Sequence, residues 1–436
     1  MHDGAVTSPP QYCPTPRELD DLELLVRGAL GEAAFGGPGE AVTLALPPDV
    51  AEQVVAAGSV VLVDPEGVPL AEVSASTTYD AAAGVTEGEG GWVGVAGPVT
   101  ALTHNEYGAF RRLFRAPSEV LATADPDTLT VPVAGPLTTE DLASIRDKAA
   151  GRPVLLLALA GHGTPSYAGR PLSGTGLVRA TLAAARLLDD ATVVAVPLAS
   201  RGPWAADVDH ALGERVVAAY AVGDVLGVTG VGELPLDVAE VVSFEIPTPD
   251  EQGLVVFFTG LSGSGKSTLA RALHDVLLER GERTVTSLDG DVVRRNLSAG
   301  LTFSRADRET NIRRIGWVAA EITRHRGVAI VSPIAPFDAT RKQVRAMVEA
   351  AGGAFFLVHV ATPVEECERR DRKGLYAKAR RGEIPDFTGI SSPYEIPADA
   401  DVRIDTTGRS IEEVLAVILT ALDDVGYLPQ LEIGTP

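Results

Sequence analysis

Cysteine is nearly absent. Cys13 and Cys367 are the only two in 436 residues and lie far apart in the chain, which excludes a disulfide-stapled secreted domain and reads as two inert thiols in a reducing cytoplasm. Positive charge is scarce as well. With 37 Lys and Arg against 59 Asp and Glu, the formal net charge is −22. No long basic run offsets it, so duplex DNA or RNA is excluded as a partner, whereas small anions stay open wherever basic side chains converge. Long apolar runs are missing too: stretches such as Val154 to Ala160 fall far short of the roughly 20 residues that span a bilayer. The N-terminus, MHDGAVTSPPQYCPTP, carries acids and prolines where a secretion signal needs a basic start and an apolar stretch. A cytoplasmic protein without a membrane partner is expected. No fixed-period repeat or low-complexity tract is present.

What is present is globular material, 45% hydrophobic and 22% charged, in a chain long enough for two or three cores. Residues 1 to 16 read as a loose polar tail, and Glu18 to Leu30 as an amphipathic helix with Leu19, Leu22, Leu25 and Leu30 near helical spacing. Short β-type runs (VTLAL, SVVLVD, WVGVAG) fill Ala41 to Val99. From Pro117 to Glu245 strand-like runs (VLLLALA, TVVAVPLA, AVGDVLGVTG) alternate with helical stretches such as Thr175 to Leu188. EIPTPDEQG then reads as a linker. The expected division is a β-rich domain over 1–120, an α/β domain over 121–245, a linker over 246–253 and a third domain over 254–430.

That third domain carries the clearest chemistry. LVVFF, Leu254 to Phe258, reads as a buried parallel strand and runs into Gly260-Leu-Ser262-Gly263-Ser264-Gly265-Lys266-Ser267-Thr268, a complete G-x-x-x-x-G-K-[ST] loop. Ser267 to Arg280 follows with helix character. Glycines let backbone N–H groups approach phosphate oxygens, and the helix presents its positive end to them. Lys266 would neutralise the β- and γ-phosphates of ATP, and Ser267 would offer its hydroxyl to Mg²⁺. The loop specifies the nucleotide and is silent about the acceptor.

A second strand, Thr284 to Leu288, ends in Asp289-Gly290-Asp291, at the strand end where parallel-sheet proteins place their chemistry. Asp291 could take a proton from an attacking hydroxyl, help hold Mg²⁺, or cap a helix; the residues alone leave these open. Ser304-Arg-Ala-Asp307 matches a capping pattern before a helix with Ile312, Ile315, Val318 and Ile322 on one face. Arg294, Arg308, Arg313 and Arg314 crowd this part of an acidic chain and suggest an anionic acceptor.

LDGDVVRRNL, GLTFSRADRETNIRRIGWVA, KGLYAKARRGEIPDFTGISSPYE and GLSGSGKST together resemble adenylylsulfate kinase, in register from residue 254 to about 420. The resemblance implies a P-loop kinase fold, a parallel sheet flanked by helices, that transfers the γ-phosphoryl of ATP to the 3′-hydroxyl of adenosine 5′-phosphosulfate, with Mg²⁺. Carried over residue by residue, it implies Lys266 and Asp291 as catalytic, Ser267 and Asp291 toward the metal, and an acceptor site of Asp291, Arg294, Phe303, Arg308, Asn311, the backbone of Ile334 and Ala335, Lys373 and Phe387. Phe303 and Phe387 would sandwich the adenine, the arginines would bind the phosphosulfate, and Asn311 would bond the base edge. Lys373 to Arg381 resembles a mobile lid. The sequence departs from the family at Val292 for a common Asn, Pro333 for a common Phe, and Ala335 where bacterial relatives often carry a serine proposed to be phosphorylated. Without a hydroxyl at Ala335, direct in-line transfer is expected.

Residues 40 to 120, with EGVPLAEV, GPVTAL and YGAFRRLFRAPSEV, are similar to the β-rich, PUA-like N-terminal domain of ATP sulfurylase, and TVVAVPLASRGPWAADVDHALGERVVAAYAVGDVLGVTG to a shortened piece of its catalytic domain. That family's Gln-Thr-Arg-Asn and His-x-x-His motifs are missing. ALAGHGTPSYAG offers only His162, and adenylyl transfer needs several cations converging on the ATP phosphates. An inactive sulfurylase-like region is expected, retained for assembly, regulation or substrate binding. The resemblance leaves open two protein partners: a second copy of the chain and a separate ATP sulfurylase.

Overall fold

A computed structural model describes residues 8–81, 91–103, 107–163, 166–167, 170–202, 205–302 and 304–429, with residues 166, 167, 170, 171, 290 and 291 described only in their backbone. Phe303 lies outside these residues. The chain separates into two compact units, 1–246 and 247–436, with the break inside the expected linker. Among the described residues no helix is long and apolar enough to cross a membrane.

In the N-terminal unit the first helix runs Pro16–Val26. It begins ahead of Glu18 because Thr15 and Glu18 cap each other: the Glu18 amide donates to the Thr15 hydroxyl (3.3 Å) and the Thr15 amide to Glu18 Oε2 (2.9 Å). It stops short of the expected Leu30. Part of the expected tail is a strand, Gln11–Tyr12, paired in parallel with Ser59–Val63. Val93–Ala101 is the hub of the β-rich sheet, pairing antiparallel with Ala34–Phe35, Leu44–Leu46, Pro69–Ser74 and Thr77–Asp80.

A three-stranded parallel sheet follows, with Val154–Leu159 between Leu129–Val133 and Ala191–Val196. Side chains alternate across it. Leu155, Leu157, Val194 and Val196 join a core with Leu24, Leu44 and Val60 of the β-rich part, while Leu156, Ala158, Val193 and Ala195 join Leu142, Ile145, Leu177 and Val178 of the flanking helices. Burial on both faces is why VLLLALA reads as an unbroken apolar run. The expected strand-like run AVGDVLGVTG makes only an isolated bridge, Thr130 to Val225. It instead wraps the Asp141 carboxylate, which accepts the Thr229 amide at 3.1 Å.

Arg201 fastens this unit from inside. Its guanidinium, 5% exposed, donates to both oxygens of Asp21 at 2.8 Å, to the Ala41 carbonyl at 2.7 Å and to Asp209 at 3.3 Å. Asp21 is fully buried, and burial pushes its carboxyl up to about 6 even with Arg201 pulling it down. An Arg201→Met substitution leaves that buried carboxyl, among the described residues, only the longer contact from Arg17, 3.4 Å, and is expected to cost the unit about 3–5 kcal/mol. Thermal or urea unfolding of the full chain would show it as a drop in one transition only.

The C-terminal unit is a five-stranded parallel sheet flanked by helices. In chain order it comprises β1 (Leu254–Thr259), α1 (Lys266–Arg280), β2 (Val285–Leu288), α2 (Gly290–Asn296), α3 (Arg305–Arg324), β3 (Val328–Val331), α4 (Asp338–Ala350), β4 (Ala354–Val360), α5 (Val364–Arg370), α6 (Leu375–Arg380), β5 (Val402–Ile404) and α7 (Ile411–Asp424). The strand order is β2-β3-β1-β4-β5. Every residue of β1 is buried. Leu254, Val256 and Phe258 pack against Leu269 and Leu273 of α1 and Ile418 of α7; Val255 and Phe257 pack against Ile312 and Ile315 of α3 and Val344 of α4. A Cβ on Gly316 would lie 2.6 Å from Val344, so only glycine allows α3 and α4 this close. Strand β1 is thus covered on both faces, and the loops after β1, β2 and β3 meet at one edge.

Candidate active site

The phosphate loop leaves β1 at Gly260, where a Cβ would lie 2.4 Å from the Val360 carbonyl, and enters α1 at Gly265, whose φ of +105° is left-handed. Both glycines are steric requirements. Lys266 follows at the helix start, 6% exposed, with Nζ donating to the Leu261 carbonyl at 2.6 Å and lying 3.5 Å from the Ser264 hydroxyl. Burial pulls its pKa down to about 8, Cys367 opposes the shift, and Lys373 adds to it. Ser267 and Thr268 stand exposed at the first turn. From behind, the Ser264 carbonyl accepts the hydroxyls of Thr362 and Thr406, each at 3.0 Å, and Arg370 holds Thr406 at 2.8 Å.

The segment expected to act as a lid forms α6, and its Tyr376 hydroxyl donates to the Ser262 carbonyl at 2.9 Å. Phe387 stands edge-on to Tyr376, ring centroids 5.0 Å apart, in a small apolar cluster with Cys367 and Leu261. Lys373 is exposed just ahead of α6.

On the acceptor side, Asp289 Oδ2 accepts the Ser332 hydroxyl at 3.5 Å at the end of β2. Asp291 opens α2, and Arg294 in the last turn lies near enough to Asp307 to help lower its pKa, behind the larger effect of the Thr302 hydrogen bonds. Arg308 reaches the Asp386 carbonyl (3.1 Å), the Thr388 hydroxyl (3.1 Å) and the Ser392 hydroxyl (3.5 Å). Its Nε is buried without a partner, as is Oδ1 of Asn311 one turn further along α3. Unpartnered buried polar atoms are costly, and a water or a ligand can supply the partner that each of these lacks. Arg313 and Arg314 do not join them: Arg314 donates to the Leu297 carbonyl and Arg313 to Thr310, both at 3.0 Å, on the exposed face that carries Trp317. Ala335 is buried in a left-handed conformation, φ +43°.

With this geometry in place, comparison with known proteins is informative. Residues 252–405 match the adenylylsulphate kinase family. The C-terminal unit belongs to the adenylylsulphate kinase family. Sulfate adenylyltransferases of Aspergillus terreus and Emericella nidulans are each 46% identical over 195 residues, covering 45% of this chain and 34% of theirs. The chain therefore spans about a third of the length of these curated relatives. A hexameric APS kinase from Thiobacillus denitrificans superposes with a TM-score of 0.73 at 26% identity, covering 97% of this chain and 94% of that one. That likeness takes in both units.

The sequence points to the phosphate loop and to the acceptor-side residues expected from the resemblance, but not to the polar side chains that brace the backbone around them: Thr259, Arg341, Thr362, Arg370, Tyr376, Tyr394 and Thr406. Thr259 and Thr362 stand out only as polar residues ending apolar runs, and the other five sit in polar stretches that read as ordinary helix and loop surface. Because burial draws the Lys266 ammonium down to about 8 and triphosphate binding requires it protonated, nucleotide affinity is expected to hold to about pH 8. It should then fall by about tenfold per unit above that. Fluorescent-nucleotide titrations between pH 7 and 9.5 would reveal the break.

Proposed function

We propose that the C-terminal unit is an adenylyl-sulfate kinase, transferring the γ-phosphoryl of ATP to the 3′-hydroxyl of adenosine 5′-phosphosulfate. The observation that carries this reading is the pairing of a buried, desolvated Lys266 in an intact phosphate loop with the unpartnered Arg308 Nε and Asn311 Oδ1 on the acceptor side. Lys266 binds the β- and γ-phosphates, Arg294 and Arg308 hold the phosphosulfate, and Asn311 meets the base. Lys373 supplies a further cation and Phe387 an aromatic contact for the base. The acceptor oxygen bonds to the γ-phosphorus as the bond to the bridging oxygen of ADP breaks, and the hydroxyl proton passes to Asp291.

Mg²⁺ fits this donor set. A hydroxyl at Ser267 and a carboxylate at Asp291 suit an ion held mainly by substrate phosphates. When bound, it neutralises charge on the phosphoryl oxygens.

Transfer is direct, because Ala335 has no hydroxyl to carry a phosphoryl group.

The N-terminal unit is read as non-catalytic. It holds 32 of the acids and only 13 of the Lys and Arg, a formal −19 against −3 for residues 247–436, which repels the triphosphate a sulfurylase must bind. Arg201, in its most sulfurylase-like segment, is consumed by Asp21 and Asp209, and His162 is exposed. Since the similar Thiobacillus chain is hexameric, assembly of copies of this chain is the role proposed for the unit.

Incubation with ATP, Mg²⁺ and adenosine 5′-phosphosulfate should yield ADP and a product heavier by one phosphoryl group, identified by mass. Lys266→Ala should reduce turnover by about 100-fold or more. ATP labelled at the γ-position should leave no label on the protein when the acceptor is omitted. The same Lys266→Ala chain, supplied with adenosine 5′-phosphosulfate and pyrophosphate, should make no ATP. ATP formation there would establish a bifunctional enzyme.

A further inference from the structure

Beside the acceptor loop lies a connected cluster of polar side chains that takes no part in the chemistry above. Thr259, the last residue of β1 and the neighbour of Gly260, is fully buried. Its hydroxyl lies 2.6 Å from the Ile334 carbonyl, 3.3 Å from the Ala335 carbonyl and 3.0 Å from the Tyr394 hydroxyl. Arg341 of α4, 2% exposed, donates to the Ala335 carbonyl at 2.8 Å, to the Glu395 carbonyl at 2.9 Å and to Asp338 at 3.2 Å. Its guanidinium carbon is 6.0 Å from the centre of the Tyr394 ring. Glu395 closes the circuit, with its amide donating to the Pro336 carbonyl at 2.9 Å and its carboxylate accepting the Asp338 amide at 2.6 Å.

This cluster sits where the backbone needs help. A left-handed alanine costs roughly 1–2 kcal/mol and persists only where its surroundings over-determine it. Here consecutive carbonyls, those of Ile334 and Ala335, are gripped by a hydroxyl from β1 and a guanidinium from α4. The Gly260 amide also points at the Ile334 carbonyl, 3.5 Å away, so the phosphate loop and the acceptor loop share one anchor. On its far side the Tyr394 ring stacks on His359, centroids 5.7 Å apart. Burial, aided by Arg403 and Arg341, pulls the His359 pKa down to about 4. It therefore packs the ring as a neutral imidazole and adds no second cation beside Arg341.

We propose that Thr259, Tyr394 and Arg341 are positioning residues that fix the Ile334–Ala335 backbone relative to the phosphate loop, and so set the distance between acceptor hydroxyl and γ-phosphate. The proposal rests on the reading that the acceptor lies against residues 334 and 335. In-line transfer tolerates little error, and a misplacement of about 1 Å costs about 100-fold.

The test compares Thr259→Val, Thr259→Ser and Tyr394→Phe in the full chain, measuring kcat, both KM values and the dissociation constant of an ATP analogue. Thr259→Val and Tyr394→Phe are expected to lower kcat/KM for adenosine 5′-phosphosulfate by about 10- to 100-fold while nucleotide binding stays within about twofold. Thr259→Ser, which keeps the hydroxyl, should stay near wild type. Wild-type kinetics in both hydroxyl deletions would overturn the proposal, as would equal losses for nucleotide and acceptor, or a serine variant as impaired as valine. Should Thr259→Val fail to fold, Tyr394→Phe, which removes one oxygen only, decides the matter alone. A wild-type chain that never phosphorylates adenosine 5′-phosphosulfate refutes the acceptor assignment itself, and the positioning role with it.

Discussion

A cation taken out of water must find an anion or remain an expense to the fold. Lys266 is such a cation, its ammonium hydrogen-bonded, among the described residues, to one carbonyl and one hydroxyl. Much of the C-terminal unit serves to keep it there. The wholly buried β1 delivers the loop to the sheet edge, Thr362 and Thr406 hold the Ser264 carbonyl from behind, and Tyr376 ties α6 to Ser262 in front. Each uses an uncharged hydrogen bond to the loop backbone, which fixes its shape without neutralising the lysine. The charge stays available for a phosphate.

The acceptor side follows the same plan with a different donor set. Arg308 is aimed by neutral oxygens from residues 386 to 392 and carries no carboxylate partner there, unlike Arg201 in the N-terminal unit, which is bound by two acids. That contrast separates the units chemically. One leaves Lys266 and Arg308, among the described residues, without a carboxylate partner in a nearly neutral body, while the other spends its best-placed arginine on internal packing and carries most of the acidity of the chain.

The phosphate loop was readable because everything that defines it is local: an apolar strand, glycines at fixed spacing, and a helix immediately after. The same holds for the Ser304 cap, whose hydroxyl accepts the Asp307 amide at 3.2 Å, and for the Ile312 and Ile315 face of α3. Non-local features were not readable. Gln11–Tyr12 looked like tail because its strand exists only through pairing with residues some fifty positions away. The run at 221–230 looked like a strand because apolar type alone does not reveal that Asp141 would draw its amides into a loop. Glu18 and Asp21 are buried against partners contributed by distant segments, which nothing in their own stretch of sequence signals.

Sequence by itself therefore determined the nucleotide loop, the residue types available to an anionic acceptor, and the absence of a hydroxyl at position 335, since each depends on identity and short spacing. Tertiary structure alone decided how the clustered arginines point, turning Arg308 against residues 386 to 392 and Arg313 and Arg314 toward the exposed face of α3. It also decided that Ala335 would be held left-handed by side chains from β1, α4 and the segment after α6. The physical reason is that direction and strain belong to packing between distant elements, and no spacing within a single stretch of chain encodes them.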